Sequence, residues 1–89
     1  MKFIVEVKYQ YQYDSSTALP GILNFFTKEE LEQEAVCSDW DYVWAESALD
    51  AIRVFTRRIR IQLDECKLCE NYSFRFTEIK AREASSKKF

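Results

Sequence analysis

The chain is expected to fold as a small α+β domain, with a mainly antiparallel sheet of three or four strands, one long helix packed on one sheet face, and a short acidic helix. Three observations predict this. Lys2 to Tyr13 alternates with a period of two, Ser47 to about Cys66 repeats with the period of a helix, and Asn71 to about Lys80 returns to period two. At 89 residues the chain accommodates a single domain. Hydrophobic residues make up 47% and aromatics 16%, with one Gly and one Pro, so a folded unit whose aromatics supply much of the core is expected.

The first strand puts Phe3, Val5, Val7, Tyr9, Tyr11 and Tyr13 on one face and, after Ile4, Glu6, Lys8, Gln10 and Gln12 on the other, so one face is buried. Asp14-Ser15-Ser16-Thr17 ends the pattern with turn formers, and Pro20-Gly21 marks a turn or loop. Ile22 to Phe26 fits a short strand or the apolar lead-in to a helix, because periodicity does not separate the two over so short a run. Thr27-Lys28-Glu29-Glu30 reads as a capping box, in which the Thr hydroxyl accepts from the third backbone amide of the turn while Glu30 reaches back. It opens a short acidic helix, Thr27 to about Val36, with Leu31 and Ala35 turned inward. Trp40 to Glu46 is the next strand, with Trp40, Tyr42 and Trp44 on one side and Asp41 and Val43 on the other.

Ser47-Ala48-Leu49-Asp50 has the form of an N-cap followed by an acid that suits the positive end of a helix dipole. At ~100° per residue, Ala48, Ile52, Phe55, Ile59, Leu63 and Cys66 form one inward stripe. Arg53, Arg57, Arg60 and Asp64 gather on its flank. Val54, Ile61 and Leu68 recur every seven residues roughly opposite the stripe, where a solvated helix would carry polar residues. The last strand places Tyr72, Phe74 and Phe76 on one face and Ser73, Arg75 and Thr77 on the other. The Lys- and Ser-rich end, Ala81 to Phe89 and chiefly residues 82–89, is expected to fray.

Strand, helix, strand from Trp40 to Lys80 implies a crossover between parallel strands, and the first strand can fill the gap between them, antiparallel to both. That arrangement, a split β-α-β, is close to half of a ferredoxin-like fold.

Several function classes are excluded by composition. The chain has no His, which removes the commonest general base and every His-containing hydrolytic triad. No nucleophile and base pair can be assembled, so a non-enzymatic protein is expected. The opening Met-Lys-Phe-Ile-Val-Glu-Val lacks the apolar region and cleavage site of a signal peptide, and no stretch approaches the ~20 apolar residues of a membrane span. A cytoplasmic protein with no membrane contact is expected, with Cys37, Cys66 and Cys69 as reduced thiols. Cys66-Lys67-Leu68-Cys69 has the spacing of a redox or zinc motif. It falls at the C-terminal end of the helix, where the dipole opposes a thiolate, and three thiols without His leave a structural zinc site short of its fourth ligand. No metal or other cofactor is expected, and the plain reading is a buried Cys66 and a partly exposed Cys69.

The formal charge of −2 hides an asymmetry. Residues 27–50 carry eight acids against Lys28, a net −7, while residues 53–67 carry five bases against two acids, a net +3. Glu29, Glu30, Glu32, Glu34, Asp39 and Asp41 are either a solvated face or a field that imitates a nucleic-acid backbone or meets a basic groove on a partner. Arg53, Arg57 and Arg60 are candidates for phosphate contact. Val54, Ile61 and Leu68 either pack under the loop from Tyr13 to Phe26 or form a seam with a partner or a second copy.

Val43-Trp44-Ala45-Glu46-Ser47-Ala48-Leu49-Asp50-Ala51-Ile52 resembles a strand-to-helix junction met in small proteins of phages and mobile elements, some of them anti-CRISPR inhibitors. The resemblance covers about ten residues, and no functional residue is carried over from it. It implies a short, non-enzymatic protein acting in the cytoplasm of a host cell, which inhibits a larger host machine by occupying one of its surfaces. The leading expectation is a binding or inhibitory protein whose acidic region meets a basic surface of a protein or nucleoprotein partner. The alternatives are a small RNA- or DNA-binding module using the Arg-bearing helix, and a homodimeric assembly subunit.

Overall fold

The structure, a computed structural model, describes residues 1–66 and 68–84. Strand β1 (Lys2–Tyr13) is followed by 3-10 turns at Ser15–Thr17 and Ile22–Asn24, helix α1 (Lys28–Glu32), strand β2 (Ala35–Trp44), helix α2 (Ala48–Cys66) and strand β3 (Tyr72–Glu83). The sheet order is β2-β1-β3, antiparallel throughout, so the first strand lies in the centre as its alternation requires. Helix α2 packs against all three strands on one sheet face. The small α+β class read from the sequence is the one observed.

The core forms where β1 meets α2. Phe3, Val5, Val7 and Tyr9 of β1, Val43 of β2, and Ala51, Phe55, Ile59 and Leu63 of α2 are buried together. Burial of each large side chain removes enough apolar surface to contribute roughly 1.5–3 kcal/mol. Tyr11, Tyr72, Phe74 and Phe76 extend this core toward the far end of the sheet. Apart from the stacked pair Tyr9 and Tyr11, their rings meet at tilted or edge-to-face angles, with Tyr9 to Phe74 at 5.5 Å and Phe74 to Phe76 at 4.9 Å, the geometry that ring quadrupoles favour.

The helix ends follow their caps. The Ser47 hydroxyl accepts from the Asp50 amide at 3.2 Å, and the Ser47 carbonyl accepts from the Ala51 amide at 3.0 Å, as an N-cap requires. At α1 the Thr27 amide donates to Glu30 Oε1 at 2.8 Å, and the Glu30 amide donates to Thr27 Oγ1 at 3.1 Å, completing the capping box.

Several expectations are corrected. The inward stripe of α2 runs through Ala51, Phe55, Ile59 and Leu63; Ala48 and Cys66 are exposed, and Ile52 is half-buried. The inward position of the second turn is therefore Ala51 instead of Ile52, while Phe55, Ile59 and Leu63 keep the expected phase. Helix α1 stops at Glu32, and Ala35 opens β2 instead of lining the helix. Residues 22–26 are not a strand but lead into the Thr27 cap of α1, with a 3-10 turn at Ile22–Asn24 entered from Gly21 at φ 87°, a left-handed conformation that glycine adopts without cost.

Strand β3 continues through Ile79, Ala81 and Glu83, beyond the expected end near Lys80, so Arg82 and Glu83 are ordered strand; the frayed end expected beyond them lies, from residue 85, outside the described residues. The extension depends on a bulge. Lys8 pairs with Glu78 but Tyr9 pairs with Phe76, leaving Thr77 unopposed, with its hydroxyl donating to the Lys8 carbonyl at 3.2 Å. One extra residue restores parity, so Ile79 and Ala81 face the helix on the same side as Tyr72, Phe74 and Phe76.

Candidate interaction surface

A helix is about 10 Å across and strands lie about 4.8 Å apart, so α2 covers one side of a three-stranded sheet and leaves the other bare. The register defines that bare face. Residues directly opposite each other share a side, which places Trp44 beside Lys2, Tyr42 in a row with Ile4 and Arg82, and Trp40 in a row with Glu6 and Lys80. The next rows hold Ser38, Lys8 and Glu78, then Val36, Gln10 and Arg75.

Three large rings therefore stand in solvent along β2. Trp40 is 60% exposed, Tyr42 45% and Trp44 73%. Trp40 meets Tyr42 edge-on at 5.6 Å, and the Lys2 ammonium sits 4.4 Å from the Tyr42 ring centre and 5.9 Å from that of Trp44, a cation–π arrangement. Aromatics supply much of the core as expected, but these three lie outside it. The cations Lys2, Lys8, Arg75, Lys80 and Arg82 share the face with the carboxylates Glu6 and Glu78. Glu78 lies 3.0 Å from Lys80 and 3.9 Å from Lys8, and these lysines hold its carboxyl below the ordinary range. Arg75 donates through Nε and Nη2 to Gln10 Oε1 at 3.1 and 2.9 Å. Lys2, Arg75 and Arg82 form no ion pair among the described residues.

The acidic residues do not form one surface. Glu29 and Glu30 are exposed on α1, although Glu30 also serves the capping box. Glu32 reaches back to β1 and the turn after it, its carboxylate accepting from the Ser15 hydroxyl and its backbone carbonyl from the Gln12 side-chain amide. Glu34 is exposed between α1 and β2. Asp39 and Asp41 stand on the helix side of β2, where Asp39 Oδ2 accepts from the Tyr9 hydroxyl at 2.9 Å and Asp41 pairs with Arg58 at 3.1 Å.

The three arginines on the flank of α2 also differ from one another. Arg53 lies 3.7 Å from Asp50, Arg60 stacks 5.0 Å from the Phe74 ring centre, and Arg57 is exposed without an ion pair among the described residues. Of the seven-residue stripe, Val54 and Ile61 are 45% and 51% exposed and line a shallow recess with Arg53 and Arg57. Leu68 lies beyond the helix end, half-buried beside Tyr11, Tyr13, Phe26 and Leu31, with its carbonyl accepting from the Leu19 amide at 3.1 Å. It belongs to the loop packing.

The cysteines reverse the expected pattern: Cys66 is exposed and Cys69 buried, with Cys37 between. Burial pushes the Cys69 thiol up, and the Asp14 carboxylate adds to this. Burial likewise raises the phenols of Tyr9, Tyr11, Tyr13 and Tyr72 above their ordinary value of 10.0, with Asp39 next in effect at Tyr9, Cys37 at Tyr11, Cys66 at Tyr13 and Asp64 at Tyr72. Among the described residues no three His, Cys, Asp or Glu side chains gather closely enough to hold a metal ion, and no helix is long and apolar enough to cross a membrane.

The rings on the bare face are the part of the site that sequence reasoning missed. A signal for them exists. The apolar residues of α2, β1 and the Tyr72-Phe74-Phe76 run already fill the one side that a single helix covers, so a further row of three large rings had to face outward. Comparison of the chain with family models, with curated proteins and with solved structures gives no match.

Proposed function

We propose that this is a non-catalytic binding protein that holds a partner macromolecule against the bare face of its sheet, along β2. The exposed row Trp40, Tyr42, Trp44 carries this reading. Large rings in water cost solvation and add nothing to the core, whereas at an interface they supply contact area with little loss of side-chain freedom. The resemblance of Val43 to Ile52 to junctions in phage proteins supports a role as an inhibitor of a host machine, such as a CRISPR effector, acting in the host cytoplasm by occupying one of its surfaces. The test is the Trp40→Ala/Trp44→Ala double variant. It is expected to keep the circular dichroism and melting temperature of the parent chain while losing the partner captured from an extract of the host. Undiminished capture by the folded variant would refute the reading.

A basic partner surface for the acidic residues rests on Glu29, Glu30 and Glu34, since Asp39 and Asp41 are engaged within the fold. Reversal of Glu29 and Glu34 to Lys, which leaves the capping box and the Ser15 contact of Glu32 in place, would weaken capture, and would do so most at low salt. Self-association through Val54 and Ile61 is a second reading, favoured by their exposure on one face of α2. An Ile61→Glu chain would then shift to monomer in light scattering, and a monomeric parent chain would exclude it.

A further inference from the structure

We infer that the macromolecule taken by the bare sheet face is a single-stranded nucleic acid, with bases stacked on Trp40, Tyr42 and Trp44 and phosphates met by Lys2, Lys80 and Arg82. The inference rests on the docking role proposed above for this face and identifies its ligand. Three observations carry it.

The first is exposure. The rings occupy alternate residues of one strand, Trp40 meeting Tyr42 edge-on at 5.6 Å, and at 60%, 45% and 73% exposure Trp40, Tyr42 and Trp44 each keep ring surface on which a base can stack. Stacking needs only a π-face and therefore tolerates any base. The second is charge. The face carries five cations against two carboxylates, in a chain whose formal charge is −2. One of those carboxylates, Glu78, is already bridged to Lys8 and Lys80. The bare face is thus cationic on a protein that is acidic overall, which is the complementarity a phosphate backbone requires.

The third is arrangement. Arg82 and Lys80 lie across β1 from Tyr42 and Trp40, two strand spacings or about 9.6 Å away, and Lys2 stands at the end of the row. A strand whose bases cover the rings would run beside this cationic border. An apolar protein partner is a poorer match, because the row of rings is bordered across the sheet by Lys2, Glu6, Lys80 and Arg82 instead of by a continuous aliphatic surface. A base-paired duplex is poorer still, since its stacked bases offer no free π-face to the rings.

Trp40 and Trp44 are the two tryptophans of the chain and both stand on this face, so intrinsic fluorescence reads the site directly. Titration with short oligothymidylate and oligouridylate is expected to quench the emission to saturation. With three phosphate contacts, affinity is expected to fall by about two decades for each tenfold rise in salt. Trp44→Ala and Trp40→Ala, each read through the remaining tryptophan, are expected to weaken binding about 5- to 150-fold. Lys2→Glu/Arg82→Glu is expected to flatten the salt dependence.

Absence of quenching by both oligomers at low salt would overturn the inference. So would equal binding of heparin or of a duplex, which would reduce the face to a general polyanion site. If no oligomer binds but the Trp40→Ala/Trp44→Ala chain still loses its captured partner, the nucleic acid is wrong and the docking face stands. If that variant loses nothing, both readings fall.

Discussion

Raising the pH above 10 is expected to unfold this protein through its inward tyrosines. Tyr9, Tyr11, Tyr13 and Tyr72 all have phenols raised above 10.0, principally by burial. The folded state then holds these protons more tightly than the unfolded state, so their contribution is fully present below pH 10 and is lost as pH rises toward the folded pKa values. Each tyrosine lowers stability by at most about 1.4 kcal/mol per pH unit, and four together by about 5.5 kcal/mol. Partial solvent contact at Tyr11, Tyr13 and Tyr72 makes this a ceiling. A chain of 89 residues has a stability of about 4–13 kcal/mol, so even at that ceiling slope the loss takes roughly one pH unit or more above pH 10. Urea melts followed by helix circular dichroism at stepped pH, with phenolate absorbance recorded in parallel, measure the slope. The two signals are expected to change together. Phenolate absorbance from all four inward tyrosines appearing near pH 10 with the helix signal intact would refute the argument. Tyr9→Phe is expected to remove one tyrosine's share of the slope. At neutral pH it costs about 1.5 kcal/mol, the low end for a bond to a charged acceptor because Asp39 remains open to water.

Phe55→Ala removes a ring that is 3% exposed from the centre of α2 and is expected to cost about 3–5 kcal/mol in a urea melt, against less than about 0.5 kcal/mol for Trp44→Ala on the bare face. Ser47→Ala deletes the acceptor for the Asp50 amide and is expected to cost about 1 kcal/mol, with Ser47→Asp retaining most of it. In native protein an aromatic disulfide reagent is expected to label Cys66 first and Cys69 last, with Cys69 released by denaturant; equal native rates at the two would contradict their placement.

Much of the fold was legible because alternation and helical periodicity report directly which residues share a side. Strand β1 and the two helix caps lie where their patterns put them. What periodicity does not contain is which side of a strand is inward. In β2, Asp39 and Asp41 share a side with Val43, and that polar-looking side is the one facing the helix. As an edge strand β2 is incompletely covered, so Asp39 and Asp41 remain exposed to water while pairing with Tyr9 and Arg58. The bulge at Thr77 was equally hidden, because an alternation that skips one residue looks like an alternation that stops. The acidic run read as one charged surface for a related reason: proximity along the chain ignores that α1 and β2 direct their carboxylates to different places.

The central position of β1 sets the order in which the molecule can be assembled. Its residues are the earliest of the sheet to be synthesised, yet Phe3 pairs with Val43 on one side and with Glu83 on the other. Until the chain through Trp44 has emerged, the apolar edge of β1 has no neighbour, and the sheet stays open until β3 follows. Long-range pairings of this kind make folding slow relative to helix formation. The nascent chain therefore passes through an interval in which an aromatic, alternating strand is bare on both edges, and a holding chaperone or rapid translation would decide its yield.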